Sequence, residues 1–439
     1  MATLAPFRGV HYNLARVGEL GAVVAPPYDI IRPEEQEELH RRSPYNVVRL
    51  ILGKDLPDDN PDRNRHARAA FQYRHWLEDQ VLVRDESPSF YLYHIEFDLK
   101  TPDGPRRLER RGLIGRLRLA PYSERVVLPH ERTLAAPKED RFRLLRAARV
   151  VFSPVFALFQ DPAQELARRL EAAARAPAPW ECLQPGNVVH RMWPLSDPAL
   201  TDAIAAFFQP RQLFLADGHH RYESGLRYLE EVRRTRPELA RSAEWTMAYL
   251  TAAEDPGLVV FPYHRLLHSL PAGRLQNLAE RLKDDFEVVP AQASPLKPGP
   301  GRRAFIQALI ERGQTRPAFG LVTQEGDAYL LLLRPEVHRV RPAGVASRLD
   351  VTMLEGHVLE EVLAIDHRAL VEEENVTYET DYDKVLDAVS QPPYQAAFLL
   401  NPTPVSQVLA VASAGEIMPE KSTYFFPKPV SGLVFDPLD

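Results

Sequence analysis

An apolar run that ends in Asp-Gly and continues into a polar, helix-like segment most constrains the fold of this chain. Residues 213–216 are Leu-Phe-Leu-Ala, typical of a buried strand, and Asp217 and Gly218 follow directly. Gly218 permits a tight turn and a close approach of the backbone. A helix predicted from residue 219 to about residue 234 would direct unpaired N–H groups and the positive end of its dipole at whatever lies above the turn. This geometry binds phosphate or carboxylate groups.

The side chains that open this helix concentrate chemistry at one turn. His219, His220 and Arg221 supply hydrogen-bond donors or positive charge, and an arginine can bind two phosphate oxygens at once. Successive residues lie about 100° apart on a helix, so the two imidazoles face one atom only if one of them precedes the helix. His219 and Glu223 share a face, but two ligands are too few to define a metal site. The alternative is a capped helix with a satisfied histidine cluster.

Several motifs resemble, in the same order, an uncharacterised prokaryotic family called domain of unknown function 1015. They are residues 25–31 (APPYDII), 43–50 (SPYNVVRL), 130–133 (HERT), 216–223 (ADGHHRYE) and 418–428 (MPEKSTYFFPK). This likeness spans nearly the whole chain, and the family name implies no activity. Residues 217–221, DGHHR, are also similar to the phosphate-binding turn of the ParB/sulfiredoxin superfamily. That superfamily includes nucleotide-hydrolysing ParB proteins, sulfiredoxins and free-serine kinases.

The pattern of alternating strands and helices predicts an α/β or α+β fold with mixed sheets. The resemblance implies a ParB/sulfiredoxin-like phosphate-binding core with insertions, which we place in residues 1–260. We expect a second α/β domain in residues 261–439, with a Pro/Gly-rich loop at 290–303. The resemblance also implies a nucleotide, ATP or ADP, together with Mg²⁺ and a small hydroxylated substrate, with serine as the first candidate.

Length, charge and cysteine content narrow the class of protein further. The 439 residues carry 54 basic and 60 acidic side chains and a net charge of −6, which argues against an electrostatic nucleic-acid binder. No segment approaches the ~20 apolar residues of a membrane-spanning helix, and the first residues do not resemble a signal peptide. We therefore expect a cytoplasmic protein that does not contact a membrane. Whether it forms a homodimer is left open by the sequence. Cys182, the single cysteine, is expected to be a small buried apolar residue.

A second polar segment follows a predicted strand at residues 129–133. His130, Glu131 and Arg132 bring a base, an acid and a cation together, as general acid–base chemistry requires. The alternative is a solvated loop with a helix cap. We take Glu131 as a candidate catalytic carboxylate and His130 and Arg132 as candidate nucleotide contacts.

In the motif of residues 25–31, two prolines end a predicted strand, and Tyr28 and Asp29 follow directly after them. In the ParB/sulfiredoxin pattern an early strand end lies beside the phosphate turn. By that analogy Asp29 would contact Mg²⁺ or a hydroxyl substrate, and Glu34 or Glu35 is an alternative base. A capping aspartate ahead of the helix predicted at residues 33–39 is the simpler interpretation.

Residues 415–422, GEIMPEKS, resemble the phosphate loop of nucleotide triphosphatases only superficially. Glu420 replaces the second glycine, Pro419 removes an N–H donor, and a helix is predicted before the segment, so a Walker loop is excluded. Four side chains remain candidates for contacting a phosphate or an acidic substrate from a second domain, unless they belong to an ordinary strand: Lys421, Ser422, Thr423 and Lys428.

These observations make a nucleotide-dependent phosphotransferase the leading hypothesis, with phosphates at Gly218 and the helix start, where cations neutralise developing charge. Asp217 and Glu223 are the candidate Mg²⁺ ligands. The candidate catalytic residues are Asp29, Glu131, Asp217, His219, His220 and Glu223. The candidate nucleotide contacts are Gly218, His219, His220, Arg221, His130, Arg132, Lys421 and Ser422. The alternatives are a ParB-like switch that hydrolyses a nucleotide, a metal-dependent hydrolase using His219, Glu223 and His130, and a noncatalytic ligand-binding protein.

Six local expectations depend only on residue patterns. Asp197 followed by a proline predicts a helix over about residues 198–208, with Asp197 as its N-cap. The sequence predicts strands at residues 23–25 and 46–52 and one buried strand over residues 150–159. It predicts that His264 is structural and that His357 lies on a helix surface.

Overall fold

The computed structural model describes residues 1–101, 104–337 and 344–439, and Val371 without its side chain. The sequence Thr-Pro-Asp-Gly at residues 101–104 predicts a hairpin turn, and two residues of that turn lie outside the described range. The described chain forms two compact units: the first comprises Met1–Thr101, Pro105–Val259 and Pro427–Asp439, and the second comprises Val260–Phe426. The sequence assigned residues 427–439 to the second domain, whereas the structure packs them in the first unit.

A nine-stranded mixed sheet forms the centre of the first unit. Two pairings are parallel: Val127–Leu128 with Leu213–Asp217, and Val155–Phe159 with Trp245–Ala252. The other pairings are antiparallel. From one edge to the other the strands are Val127–Leu128, Leu213–Asp217, Val155–Phe159, Trp245–Ala252, Gly104–Arg118, Phe90–Thr101, Val188–Leu195 and Trp180–Gln184, and Leu4–Ala5 pairs with Gly104–Arg118.

Helices and short strand pairs surround this sheet. The α-helices of the first unit are Leu14–Val17, Leu20–Val23, Pro33–Arg42, Val48–Ile51, Arg65–Glu78, Ala135–Ala148, Glu165–Leu170, Pro198–Phe208, His219–Thr235 and Ala240–Ala243. Its 3₁₀ turns are Tyr28–Ile30, Tyr122–Glu124, Ala173–Arg175 and Pro237–Leu239. Two further antiparallel pairs join Val10–Tyr12 to Leu82–Arg84 and Val150–Val151 to Asp436–Pro437.

Apolar side chains of the sheet pack in one core with those of two helices, Pro198–Phe208 and His219–Thr235. Pro198 and the capping Asp197 start the first of these helices, as predicted, because the Asp197 side chain accepts from the Leu200 N–H at 2.8 Å. The buried members of the core include Leu117, Val155, Ala157, Ile204, Phe208, Leu215, Tyr222, Val232 and Leu250. This packing fixes the position of the strand and helix on either side of Gly218.

The second unit contains a six-stranded antiparallel sheet. Its strand order is Phe286–Pro290, Ala328–Leu333, Ala318–Thr323, Tyr394–Leu400, His264–His268 and Val376–Glu379. Its helices are Leu278–Arg281, Leu282–Asp284, Pro300–Gly313, Ala346–Arg348, Asp350–Met353, the π-helix Leu354–Val362, His367–Val371, Tyr382–Val389 and Val405–Ala414. Val259–Phe261 and Tyr424–Phe426 are further short strands. The segment predicted as a loop at 290–303 includes the end of one strand and the first turn of a helix.

The predicted α/β class with mixed sheets is confirmed, and the local errors have physical causes. The strand predicted at residues 46–52 is instead the helix Val48–Ile51, because the buried Asn46 side chain accepts from the Val48 N–H and donates to the carbonyls of Ala22 and Val24. In place of the strand predicted at residues 23–25, the helix Leu20–Val23 ends at Val23, and Ala25 makes an isolated antiparallel bridge with Ser431.

The strand predicted over residues 150–159 divides into Val150–Val151 and Val155–Phe159. Cys182 is buried, as predicted, and burial raises the pKa of its thiol to about 12. None of the helices in the described ranges combines the length and the apolar character needed to cross a bilayer.

Candidate functional site

The strand Leu213–Asp217 runs through Gly218 directly into the helix His219–Thr235. Gly218 adopts φ 86°, the left-handed conformation that the Asp-Gly sequence predicts. The Tyr222 N–H donates to the Gly218 carbonyl at 3.0 Å, and no side chain caps the helix. The N–H groups before Tyr222 therefore have no intrahelical acceptor and point out of the helix start.

Both histidines of the turn hold the loop of residues 130–134 against this helix. The backbone N–H of His130 donates to His219 Nε2 at 3.4 Å, and the N–H of Leu134 donates to His220 Nε2 at 2.9 Å. Since a backbone N–H can only donate, Nε2 is the unprotonated nitrogen of each ring and Nδ1 carries the proton. His219 and His220 thus orient the 130–134 loop, a role that the sequence pattern did not suggest.

The buried histidines of this region are neutral. Burial lowers the pKa of His130 to about 4 and holds the pKa of His219 well below its ordinary value. The pKa of His220 is also lowered by burial. The imidazoles therefore offer hydrogen bonds rather than the positive charge that the sequence allowed.

Positive charge at the turn comes from Arg221 and Lys428. Arg221 donates to Asp217 Oδ2 at 2.6 Å and to the Pro154 carbonyl, so its guanidinium is committed to the protein. Lys428 Nζ lies 2.6 Å from Asp217 Oδ1 and 2.7 Å from Asp29 Oδ2. Burial raises the pKa of Asp217, but Lys428 and Arg221 overcome that effect and the net pKa is lowered. Asp217 is therefore ionised at neutral pH.

Antiparallel pairing of two distant segments brings Asp29 and Lys428 together. Ala25 and Ser431 exchange backbone hydrogen bonds of 3.2 and 2.8 Å. Moving forward from Ala25 and backward from Ser431 leads to Asp29 and Lys428, on neighbouring backbones. The sequence singled out both residues, but it placed Lys428 in a second domain, whereas the structure places it in the first unit.

The predicted metal carboxylates make separate ion pairs. Glu223 Oε2 accepts from Lys138 Nζ at 2.8 Å and from the Thr133 hydroxyl at 2.6 Å, while Asp217 contacts Arg221 and Lys428. Within residues 1–101, 104–337 and 344–439, the one group of three possible metal ligands lies in the second unit and consists of Asp285, His357 and Glu361.

The remaining candidates are distributed between the two units. Glu131 lies 3.7 Å from His130 Nε2 and 4.0 Å from His219 Nδ1. Arg132 is exposed. In the second unit, Lys421 lies 5.6 Å above the Tyr263 ring, and the Ser422 hydroxyl donates to the Pro419 carbonyl at 2.5 Å.

His264 and His357, the two histidines of the second unit considered in the sequence analysis, each have a partner within the protein. His264 is buried and its Nδ1 accepts from the Leu400 N–H at 3.1 Å, as a structural histidine should. The expectation that His357 is a surface residue is wrong, because it is buried and its Nδ1 pairs with Asp285 Oδ2 at 3.0 Å.

The sequence profile of the family described as "Protein of unknown function (DUF1015)" matches residues 4–352. The chain belongs to the DUF1015 family. No curated protein matches this DUF1015 chain in sequence.

Among solved structures, a free serine kinase variant in complex with AMP is 13% identical, with a TM-score of 0.35, covering 70% of this chain and 89% of that chain. A conserved hypothetical protein from Pyrococcus furiosus is 14% identical, with a TM-score of 0.33 and coverages of 70% and 92%. SbnI with a C-terminal truncation, from Staphylococcus aureus, is 10% identical, with a TM-score of 0.34 and coverages of 73% and 87%. Likenesses this low carry no functional argument, so we infer function from the site itself.

The neutral buried histidines predict that this DUF1015 protein loses stability in mild acid. His130 has a pKa of about 4 when folded and about 6.5 when unfolded, so the unfolded chain takes up the proton first as pH falls. The contribution of His130 is complete above pH 6.5 and is lost towards pH 4. Urea unfolding followed by tryptophan fluorescence measures the free energy of unfolding at pH 7 and at pH 5. The decrease in this free energy from pH 7 to pH 5 should be about 2 kcal/mol smaller in His130→Asn than in the wild type. The same substitution at the exposed His75 should leave the loss unchanged; equal losses in both variants would contradict this account.

Gly218 is expected to tolerate no side chain without disturbing the turn. A Cβ there would lie 3.0 Å from the Arg221 guanidinium in addition to the strain of φ 86°. Gly186 is the matched control, because its φ is 80° but the nearest side-chain atom lies 4.0 Å from a built Cβ. Gly186→Ala should cost about 1–2 kcal/mol, and Gly218→Ala should cost more because Arg221 must leave Asp217. Equal unfolding free energies for the two variants would contradict the close contact.

Proposed function

We propose that this protein transfers a phosphoryl group from a nucleotide, ATP or ADP, to the hydroxyl group of a small metabolite, with serine as the first acceptor to test. The observation that carries the proposal is the position of Lys428, which joins Asp29 to Asp217 at the uncapped start of the helix His219–Thr235. A phosphate-binding helix start, a lysine and an exposed carboxylate are the parts that such a transfer requires.

The phosphate groups would bind at the N–H groups after Gly218, where the helix dipole favours negative charge. Lys428 would neutralise charge on the transferring group. His220 supports this placement because its protonated Nδ1 makes no hydrogen bond within the described residues and is not sealed from solvent. The similarity of residues 217–221 to the ParB/sulfiredoxin phosphate turn supports it independently, and a ParB/sulfiredoxin-like core is part of the proposal.

Asp29 is the carboxylate best suited to the acceptor hydroxyl. It is exposed, whereas Asp217 is held between Lys428 and Arg221. We assign Asp29 the role of orienting or deprotonating the hydroxyl, and Asp217 the role of holding the two cations in place. Nucleotide-bound Mg²⁺ would supply further charge neutralisation when present. Both Asp29 and Glu223 pair with a lysine, and Asp29 fits the ion better because its side chain is the more exposed of the two. The 130–134 loop, held by His219 and His220, would form the adjoining wall with Glu131.

Phosphorus NMR of the full chain with Mg²⁺, ATP or ADP and a pool of hydroxylated metabolites including serine tests the proposal. A new phosphoester resonance is expected, and dividing the pool identifies the acceptor. Asp29→Asn should lower the rate at least about a hundredfold, while Glu34→Gln, on the exposed first turn of the next helix, should not.

Release of free phosphate alone would indicate a nucleotide-hydrolysing switch instead. An unchanged spectrum with every acceptor would refute phosphotransfer.

A further inference from the structure

A cavity of about 830 Å³ opens on the large sheet of the first unit, apart from the 217–221 turn. Its lining includes Phe159, three residues beyond the Phe156 that pairs with Asp217, which corresponds to about 10 Å along the strand. Its floor is apolar and comes from five strands through Leu92, Leu113, Phe159, Trp193 and Leu250. The helix Glu165–Leu170 and residues 174–178 form the opposite wall. The volume lies within the range of small-molecule sites.

The arginines that line the cavity are already paired. Arg111 Nε lies 2.8 Å from Glu109, and Arg191 Nε lies 2.6 Å from Glu181. Arg175 pairs with Glu171 at 3.3 Å. Each of these three cations already has a carboxylate beside it, so none offers an unbalanced positive charge to an anionic ligand.

Asp161 and Asp255 are the two lining carboxylates for which the described residues provide no ion pair, and only Asp255 does not cap a helix. Its oxygens accept from the backbone N–H groups of Gly257 at 2.9 Å and Arg111 at 3.3 Å, and no lysine, arginine or histidine of the described chain makes an ion pair with it. Asp161, by contrast, caps the helix Glu165–Leu170 through two bonds of 2.9 Å. Burial raises the pKa of Asp255, and the two N–H groups together with the charges of Arg110 and Arg111 offset this only in part. A positive group placed beside Asp255 would therefore stabilise its ionised form.

Trp193 adds a polarised aromatic surface to the apolar floor. Its indole N–H donates to the Ala176 carbonyl at 2.8 Å, which fixes the ring, and the centroids of the Trp193 and His94 rings lie 5.1 Å apart with an interplanar angle of 65°. His94 in turn pairs with Glu109 at 3.3 Å. The fixed ring offers apolar surface to the body of a ligand, while Asp255 favours a cationic head group over a neutral or anionic one.

We propose that this cavity binds a small organic amine in its protonated form, with the ammonium group at Asp255 and the apolar body against Leu113, Leu250 and Trp193. The ammonium would gain a charge-assisted hydrogen bond in a partly desolvated setting, while the body would cover apolar surface that is otherwise hydrated. This site is independent of the phosphotransfer proposed above.

Three probes that differ only in the head group test the charge preference: 4-phenylbutylamine, 4-phenylbutanol and 4-phenylbutyrate. Isothermal titration of the full chain should show binding of the amine, at least tenfold weaker binding of the alcohol, and weakest binding of the carboxylate. The proposal is overturned if the carboxylate binds as tightly as the amine, or if no probe binds at millimolar concentration.

Two variants and a control locate the site. Asp255→Asn should weaken amine binding at least tenfold and leave the alcohol unchanged, whereas Asp202→Asn, on the exposed face of the helix Pro198–Phe208, should change neither. Ala174→Trp should fill the cavity and weaken all three probes, with thermal unfolding confirming that the variant is folded. Amine binding that survives both cavity variants would refute the assignment. Asp29→Asn should retain amine binding. The amine site is therefore tested separately from the phosphotransfer proposal, and one can fail without the other.

Discussion

Replacing Lys428 with methionine should lower the proposed phosphotransfer at least about a hundredfold, because the variant loses the cation that we assign to the phosphate groups. Methionine keeps most of the buried aliphatic length and removes only the charge and its donors. Asp29 and Asp217 would then lack their shared partner, which lies 2.7 and 2.6 Å away in the wild type. The rate of phosphoester formation and the affinity for ADP are the measurements.

Two further variants make the Lys428 result specific. Lys297→Met removes an exposed lysine and should leave activity unchanged. Lys428→Arg keeps the charge but changes the geometry of its donors, so partial activity is expected. Full activity in Lys428→Met would exclude the lysine from the reaction and leave it a structural link between two carboxylates.

Replacing Arg116 with methionine should destabilise the first unit by about 3–5 kcal/mol, because it leaves a buried carboxylate without its cation. Asp436 is fully buried, and Arg116 Nε donates to its two oxygens at 2.8 and 3.0 Å. Burial raises the pKa of Asp436 to about 6 despite Arg116, so the carboxyl group of the variant should take up a proton at neutral pH. Arg116 also donates to the Pro437 carbonyl at 2.7 Å, a bond that the variant loses.

Tryptophan fluorescence measures this loss selectively, since all four tryptophans of the chain belong to the first unit. Combining Arg116→Met with Asp436→Asn should recover part of the lost stability, because an amide can be buried there without a cation and without first taking up a proton. If the double variant is as unstable as the sum of the single variants, the pair is not the source of the effect.

The sequence predicted the strand, glycine turn and helix around Gly218 because all of their determinants lie within a few residues. A short apolar run, a residue free to adopt positive φ and a polar helix start are local properties. The helix Pro198–Phe208 was predicted for the same reason, through Asp197 and a proline at its first turn.

The roles of the site residues depend on contacts that no local pattern contains. Lys428 and Asp29 are 399 positions apart, and only the pairing of Ala25 with Ser431 brings them together. The sequence pattern predicted that His219 and His220 supply charge and contact phosphate. In the structure their Nε2 atoms accept hydrogen bonds from backbone N–H groups of the 130–134 loop. Asn46 lies in an apolar run typical of a strand. The segment forms a helix instead, because the buried Asn46 amide donates to the distant carbonyls of Ala22 and Val24.

The return of residues 427–439 to the first unit couples the site to the order in which the chain is synthesised. A ribosome that has released residues 1–259 has delivered the Gly218 turn and Asp29, but neither Lys428 nor the Asp436 that neutralises Arg116. Domains that fold during synthesis usually close in order from the amino terminus, whereas this one must wait for the second unit to emerge. A chain cut short by a premature stop codon within the second unit would therefore carry the turn without its lysine, and should lack the proposed phosphotransfer activity.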